Sequence, residues 1–125
     1  MSDRYTTLFR ILFALALVAG TYLALTPVPP PPPGLSFNDK LQHAAGFAVL
    51  AFLLDRARPS RRWGYWQLTA PLLLAYGGVI ELLQGLTPYR FPELLDFLAN
   101  GLGIALYGAL RAPLARVFRP ARADG

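Results

Sequence analysis

Residues 66–84 read WQLTAPLLLAYGGVIELLQ, a run of 19 residues in which only Glu81 carries a charge. An α-helix rises about 1.5 Å per residue, so this run would be about 28 Å long, close to the hydrocarbon thickness of a bilayer. Glu81 and Gln84 stand near its end, and polar side chains inside a membrane need partners. The stretch therefore predicts a membrane-crossing helix with polar groups at one end.

The composition of the whole chain agrees with a membrane protein. Its 125 residues are 54% hydrophobic and 15% charged. A soluble fold of this size leaves much of its surface exposed and could not bury so much apolar area. The chain has no cysteine, which excludes disulfides and thiolate chemistry, and its single histidine excludes a His-rich metal site. We therefore expect no metal and no cofactor.

Three further apolar stretches extend this prediction to a single all-α domain over residues 1–125, a bundle of four transmembrane helices. A proline tract at 27–33 separates the first two stretches and predicts an extended spacer. The predicted spans cover residues 11–25, 38–54, 66–84 and 94–110, followed by a basic tail at 111–125.

The first span has a second interpretation. Arg4 and Arg10 before an apolar stretch also suit a cleavable signal peptide, with residues 18–20 (VAG) as a poor cleavage site. Cleavage would leave three spans without altering the orientation of the others.

The distribution of basic residues predicts the orientation. Ten of the twelve Lys and Arg residues lie in the N-terminus, the middle loop and the tail, and only Lys40 and Arg90 lie in the other two loops. The positive-inside rule places both termini of this multi-pass membrane protein in the cytoplasm. The net charge of +5 then meets anionic lipid headgroups, and nucleic-acid binding is disfavoured.

Small residues recur every four positions in the first and last spans. Such stripes allow helices to approach closely in lipid. Packing within the bundle explains them better than a dimer interface, although a homo-oligomer stays open. The stripes consist of Ala16, Gly20 and Ala24, and of Gly101, Ala105 and Ala109.

This orientation predicts that polar groups from three helices meet near the outer membrane surface. The second span begins there, the third ends there and the fourth begins there. Within each span the polar residues are three or four positions apart and therefore share a helix face. We expect an outward-open polar cavity formed by Asp39 and His43, Glu81 and Gln84, and Asp96 and Asn100, with Arg90 in the loop above.

Several of these residues also have purely structural explanations. Asp39 is three residues after Ser36 and is equally explained as a helix cap. Gln84 and Asn100 suit interhelical hydrogen bonds, and Arg90 suits an ion pair or a lipid headgroup contact. Glu81 is the hardest to explain structurally, because apolar residues surround it.

Four sequence motifs resemble the VanZ-like family of small bacterial membrane proteins. Residues 39–47 read DKLQHAAGF, residues 80–84 read IELLQ, Arg90 precedes the last helix, and residues 96–103 read DFLANGLG. The resemblance implies a protein of the bacterial inner membrane without an established biochemical activity, in a family named after an accessory protein linked to low-level teicoplanin resistance. The positions that it marks as a site are Asp39, Lys40, His43, Glu81, Gln84, Arg90, Asp96 and Asn100.

Three functions remain open at this point. The first is binding of an envelope lipid, a lipid-linked precursor or a lipoglycopeptide, with Lys40 and Arg90 contacting phosphate or carboxylate. The second is an envelope hydrolase or transferase in which His43 is the acid–base group and Glu81 or Asp96 orients it. The third is a structural or assembly protein. A proton-coupled transporter is disfavoured, since four short spans form a pore only by oligomerising.

Overall fold

A computed structural model describes residues 3–26, 36–58, 64–87 and 94–117, with the side chains of 36–39 and 115–117 left aside. These residues form helices α1 (Asp3–Leu25), α2 (Ser36–Ala57), α3 (Ala70–Gly85) and α4 (Leu94–Val117). A π-helical turn, Tyr65–Thr69, leads directly into α3. The described part of the chain contains no strand, so the all-helical prediction is confirmed for it.

Interhelical contacts define the direction of each helix. Arg10 Nε donates to the Ala57 carbonyl oxygen at 3.2 Å, so the start of α1 lies beside the end of α2. Tyr65 donates to the Ile104 carbonyl oxygen at 2.5 Å, and a Cβ on Gly77 would lie 3.2 Å from Asn100 Nδ2. Each helix is therefore antiparallel to the next one along the chain.

Helices α2 and α4 are parallel and form the most extensive helix contact of the described fold. Their hydrogen-bonded partners are separated by 56, 57 and 56 residues at three levels along the pair. A constant separation of this kind arises only when two helices run in the same direction in a fixed register. The contacting pairs are Lys40 with Asp96, His43 with Asn100, and Asp55 with Arg111.

Gly103 allows the backbones of α2 and α4 to touch. A Cβ on Gly103 would lie 2.8 Å from the carbonyl carbon of Ala44 and would overlap its oxygen. Small residues allow such close approach in helix pairs. Phe47, Leu50, Ala51, Ile104 and Tyr107 belong to the buried core that forms around this contact.

The π-helical turn before α3 has a local cause. Pro71 lacks an N–H and its ring crowds the carbonyl group four residues earlier. The preceding turn is wider, and the Ala70 N–H bonds to the Tyr65 carbonyl, five residues back. This widened turn directs Tyr65 and Trp66 toward α4, where a Cβ on Gly108 would overlap both rings.

Helix α1 lies at the periphery of the bundle and is attached by polar contacts at both ends. Besides the Arg10 bond near its start, Thr21 Oγ1 lies 2.5 Å from Tyr76 Oη of α3. Near its end, the Ala24 carbonyl accepts a hydrogen bond of 2.7 Å from Gln84 Nε2. Helix α1 therefore runs parallel to α3 and packs against both α2 and α3.

Polar groups lie inside this bundle while large apolar side chains lie outside. The exposed ones occur on all four helices, for example Val18, Val49, Leu82 and Leu102. Two helical segments, Asp3–Leu25 and Tyr65–Gly85, are long and apolar enough to cross a membrane by length and composition. The buried polar or charged residues are Thr6, Asp55, Thr69, Glu81, Gln84, Asp96 and Asn100.

The helices extend beyond the expected spans. Helix α1 begins at Asp3 rather than near residue 11, and α4 continues to Val117 through Pro113, into the expected tail. Arg111 anchors the turn before Pro113 to α2, which helps the helix to persist there. Helix α2 begins at Ser36, two residues before the expected span, and α3 ends at Gly85, one residue beyond its expected span, with Leu86 as the C-cap.

The variant Gly103→Ala should separate α2 from α4, because a methyl group there overlaps the Ala44 backbone rather than a flexible side chain. We expect a loss of about 3 kcal/mol in the free energy of unfolding, as for other overpacked sites. The matched control is Gly46→Ala on α2, where an added Cβ meets nothing within 4 Å. Denaturation of the purified variants measures both changes, and an equal loss in both would contradict the close contact.

Candidate functional site

Four of the residues singled out by the sequence meet at one end of the α2–α4 pair. Lys40 forms an ion pair with Asp96 Oδ1, and its ammonium group hydrogen-bonds the same oxygen. His43 Nδ1 lies 3.2 Å from Asn100 Oδ1, and its Nε2 lies 3.8 Å from Asp96 Oδ2. We call these four residues the polar cluster.

Helix periodicity and the α2–α4 register together build the polar cluster. Lys40 and His43 are three residues apart on α2, and Asp96 and Asn100 are four apart on α4, so each pair shares a face. Asn100 is only 1% exposed, whereas the side chains of Lys40 and His43 keep 23% and 20% of their surface. The cluster therefore has a buried floor on α4 and a solvent-accessible edge on α2.

The contacts of His43 assign roles to its two ring nitrogens. With the Asn100 amide oxygen as acceptor, Nδ1 carries the hydrogen of that bond. Nε2 then faces the Asp96 carboxylate, 3.8 Å from Oδ2. The ring of His43 is therefore held between Asn100 and Asp96 of α4.

The parallel arrangement of α2 and α4 places the N-termini of two helices at this end of the bundle. Both helices begin there, at Ser36 and Leu94, so the positive ends of two helix dipoles lie on the same side as Lys40. Asp96 in the first turn of α4 partly neutralises this field. A ligand with a phosphate or carboxylate group would be favoured at the solvent-accessible edge.

Glu81 and Gln84 lie on α3, the helix that packs against both α1 and α4. Gln84 donates its amide hydrogen to the Ala24 carbonyl at 2.7 Å and so joins α3 to the end of α1. Glu81 is 7% exposed and lines a groove between α3 and α4 together with Leu94 and Phe97. The third helix thus contributes the wall beside the cluster rather than a further described hydrogen bond within it.

Two predicted site residues cannot be placed in the cluster. Asp39 belongs to the first turn of α2, but its side chain is outside the described part, and Arg90 lies outside the described residues altogether. Within the described ranges, no group of three His, Cys, Asp or Glu side chains is arranged to hold a metal ion.

A second polar group, at the opposite end of the α2–α4 pair, was not anticipated from the sequence. Asp55 is buried and accepts hydrogen bonds from Tyr107 Oη at 2.6 Å, from Arg111 Nη2 at 2.9 Å and from Arg111 Nε at 3.2 Å. The Arg111 guanidinium also lies over the Tyr65 ring, 5.2 Å from its centroid. We call Asp55, Tyr107 and Arg111 the lower brace.

The lower brace satisfies its buried carboxylate with three donors, which suits a structural role. Arg111 bonds the carboxylate through both Nη2 and Nε, a two-pronged contact of the kind that fixes a guanidinium and a carboxylate in one geometry. A sequence signal existed: Asp55 and Arg111 are 56 residues apart, the same separation as Lys40 and Asp96.

No protein-family model matches this chain, and no curated protein or solved structure shows a significant match to it. A helical bundle as such hosts many unrelated activities, so function has to be argued from the geometry of the site. The polar cluster, with its accessible cationic edge, is the arrangement that carries that argument.

Breaking the lower brace should destabilise the bundle in two graded steps. The variant Tyr107→Phe removes one donor and should cost about 1 kcal/mol of unfolding free energy. The variant Arg111→Met leaves the buried carboxylate without its cation. This variant should lower the free energy of unfolding by more, about 2–3 kcal/mol. That loss is smaller than the loss expected for a fully buried ion pair, because Arg111 is partly exposed. Chemical denaturation measures both, and a larger loss for Tyr107→Phe would contradict this ranking.

Proposed function

We propose that the chain is a multi-pass membrane protein of the VanZ-like type whose polar cluster binds the head group of an envelope lipid. The distribution of side chains favours a bilayer rather than water around the bundle. Charged and amide side chains are buried while leucine and valine side chains cover the outside. Water would oppose this distribution, because large exposed apolar patches are rare in soluble monomers, whereas a bilayer favours it.

An exposed ridge of leucine side chains on α4 also favours a bilayer around the bundle. Six leucines recur every four residues, and each keeps between 41% and 72% of its surface exposed. The ridge spans twenty residues of helix, about 30 Å, which equals the hydrocarbon thickness of a bilayer. Its members are Leu94, Leu98, Leu102, Leu106, Leu110 and Leu114.

The orientation follows from the charges at the two ends of the bundle. Arg10, Arg56, Arg58 and Arg111 gather at the end where α2 and α4 terminate, and Lys40 is the one basic side chain described at the other. The positive-inside rule favours a cytoplasmic location for the arginine-rich end and for both termini. The polar cluster would then face the outside of the inner membrane.

Cysteine labelling tests this topology directly, since the natural chain contains no cysteine. We expect a membrane-impermeant maleimide to label Tyr89→Cys, between α3 and α4, in cells whose outer barrier is opened. Ser60→Cys, between α2 and α3, should react only after the inner membrane is permeabilised. The reverse pattern would place the polar cluster in the cytoplasm and contradict the proposed function.

The ligand is an amphiphile with an anionic head group. The Lys40 ammonium group and the starts of α2 and α4 favour phosphate, and Asn100 and His43 offer hydrogen-bonding groups for hydroxyl or amide partners. A lipid-linked cell-wall precursor combines these features, and a lipoglycopeptide offers a carboxylate in a similar position. The observation that carries the proposal is the convergence of Lys40, His43, Asp96 and Asn100 on one accessible edge of an otherwise apolar bundle.

Binding of a lipid-linked wall precursor to the purified protein in nanodiscs should be saturable and should depend on the cluster. The variant Lys40→Gln removes the cation and should weaken binding about tenfold to a hundredfold, the usual worth of a charged hydrogen bond. The matched control is Gln42→Ala, an exposed polar residue on the same helix, which should bind as the natural chain does.

The controls separate the competing functions. Both variants are first compared by thermal unfolding, so that a folding defect is not read as lost affinity. Non-saturable binding, or an equal loss in Gln42→Ala, would contradict head-group recognition. If the polar cluster has only a structural role, Lys40→Gln should unfold more easily, and the natural chain itself should show no saturable binding.

An envelope enzyme is the second candidate, favoured by the oriented imidazole of His43. In that case His43 transfers a proton and the Asp96 carboxylate stabilises the protonated imidazole. Glu81, on the neighbouring helix α3, is the second carboxylate. Release of phosphate or head group from the bound precursor, abolished in His43→Gln while binding persists, would favour catalysis over binding alone.

A further inference from the structure

Asn100 of α4 forms the buried floor of the polar cluster. Its side chain is one of the largest that the bundle buries completely, and the residue is 1% exposed. Lys40 and His43, by contrast, form the accessible edge of the cluster. A ligand that arrives from solvent therefore meets the edge residues first, and Asn100 acts on that ligand through them.

The Asn100 side chain bonds His43 across the contact between α2 and α4. Its amide oxygen Oδ1 lies 3.2 Å from His43 Nδ1, near the upper limit of a normal N–H···O bond. With Nδ1 held in this way, the ring has one orientation, in which Nε2 lies 3.8 Å from Asp96 Oδ2. The bond made by one ring nitrogen of a histidine commonly determines what the other nitrogen presents.

Helix α3 contacts the other end of the same amide, at Gly77. A Cβ on Gly77 would lie 3.2 Å from Asn100 Nδ2 and 3.2 Å from the Phe47 ring of α2, both closer than ordinary van der Waals contact. Phe47 is four residues after His43 on α2 and therefore shares its helix face. Gly77 is thus a point at which α3 touches both helices of the parallel pair.

The missing side chain at Gly77 leaves room for the Asn100 amide. An added methyl group would force its neighbours to move by a few tenths of an ångström. The Phe47 ring is packed in the buried core and contacts the Tyr76 ring, with centroids 5.9 Å apart. The amide would therefore move instead. Because its bond to His43 is already 3.2 Å long, a small displacement would weaken that bond.

We infer that Asn100 is a positioning residue that sets the orientation of the His43 ring, and that Gly77 keeps the Asn100 amide in place. This inference rests on the proposed function and narrows its site. The His43 ring faces the head group, whereas Asn100 and Gly77 act through that ring. A ring held in one orientation loses less rotational freedom when the ligand binds, which increases affinity.

Nuclear magnetic resonance tests the orientation without any ligand. The chain contains one histidine, so labelling with ¹⁵N-histidine reports on the His43 ring alone. In nanodiscs, we expect an Nδ1–H signal that exchanges slowly with water, because this hydrogen lies between the ring and a buried amide. The variant Asn100→Leu has a similar volume but no acceptor, and it should lose the slowly exchanging signal. An unchanged signal in this variant would overturn the inference.

Gly77→Ala is the second variant, and it keeps the test valid if Asn100→Leu does not fold. It should speed exchange of the Nδ1 hydrogen about threefold, at the lower end of what one neutral hydrogen bond contributes. The matched control is Gly78→Ala, the next residue on α3, where a Cβ would lie at an ordinary 3.6 Å from the Phe97 ring. Its exchange rate should equal that of the natural chain, and an equal increase in both variants would contradict the role of Gly77.

Binding of the lipid-linked wall precursor tests whether Asn100 acts through His43. Asn100→Leu should weaken binding about fivefold in the natural chain, the worth of one neutral hydrogen bond. It should weaken binding no further in a His43→Gln background, because the ring that it positions is then absent. The same loss in both backgrounds would mark a purely structural role and overturn the inference. If the unaltered protein binds no precursor, the proposed function fails, and the Nδ1–H signal still decides whether Asn100 positions the ring.

Discussion

The direct backbone contact between Gly103 and Ala44 is the constraint on which the rest of the described structure depends. It lets α2 and α4 run side by side with no side chain between them at that level. Lys40 with Asp96 above it, and Asp55 with Arg111 below it, can reach each other only in this register. The signs of these two ion pairs are opposite on the two helices, so a shifted or reversed pairing would leave buried carboxylates without their cations.

The parallel pair also explains why the two ends of the bundle differ in character. Two helix starts at one end favour anionic groups, and the cluster there keeps an accessible edge. Two helix ends lie at the other, where Arg10 caps the Ala57 carbonyl and Arg111 closes on a buried carboxylate. The first end therefore leaves polar side chains partly exposed, whereas the second holds the helices together. Polar burial of this kind goes together with an exterior on which large apolar side chains are exposed.

Repeated sequence patterns had limited power to predict these contacts. Asp, His or Asn, and Gly recur with the same spacing at 39, 43 and 46 and at 96, 100 and 103. His43 and Asn100 do meet, 57 residues apart, but the two glycines behave differently. Gly103 touches α2, whereas Gly46 lies on an exposed face with nothing within 4 Å of an added Cβ. Local spacing determines which face a residue occupies, and only the packing of helices determines what that face meets.

The sequence by itself determined the four helical segments, approximately the start of α2 and the end of α3, and the sharing of a face by Asp96 with Asn100. These follow from apolar run length, capping residues and helix periodicity, which are local properties of a chain. Tertiary structure alone decided that Gln84 bonds α1, that Glu81 lines a groove, and that Asp55 is buried in a brace with Tyr107 and Arg111. Those outcomes depend on the register and rotation of helices far apart in sequence, which are set by side-chain volume and backbone approach rather than by any local signal.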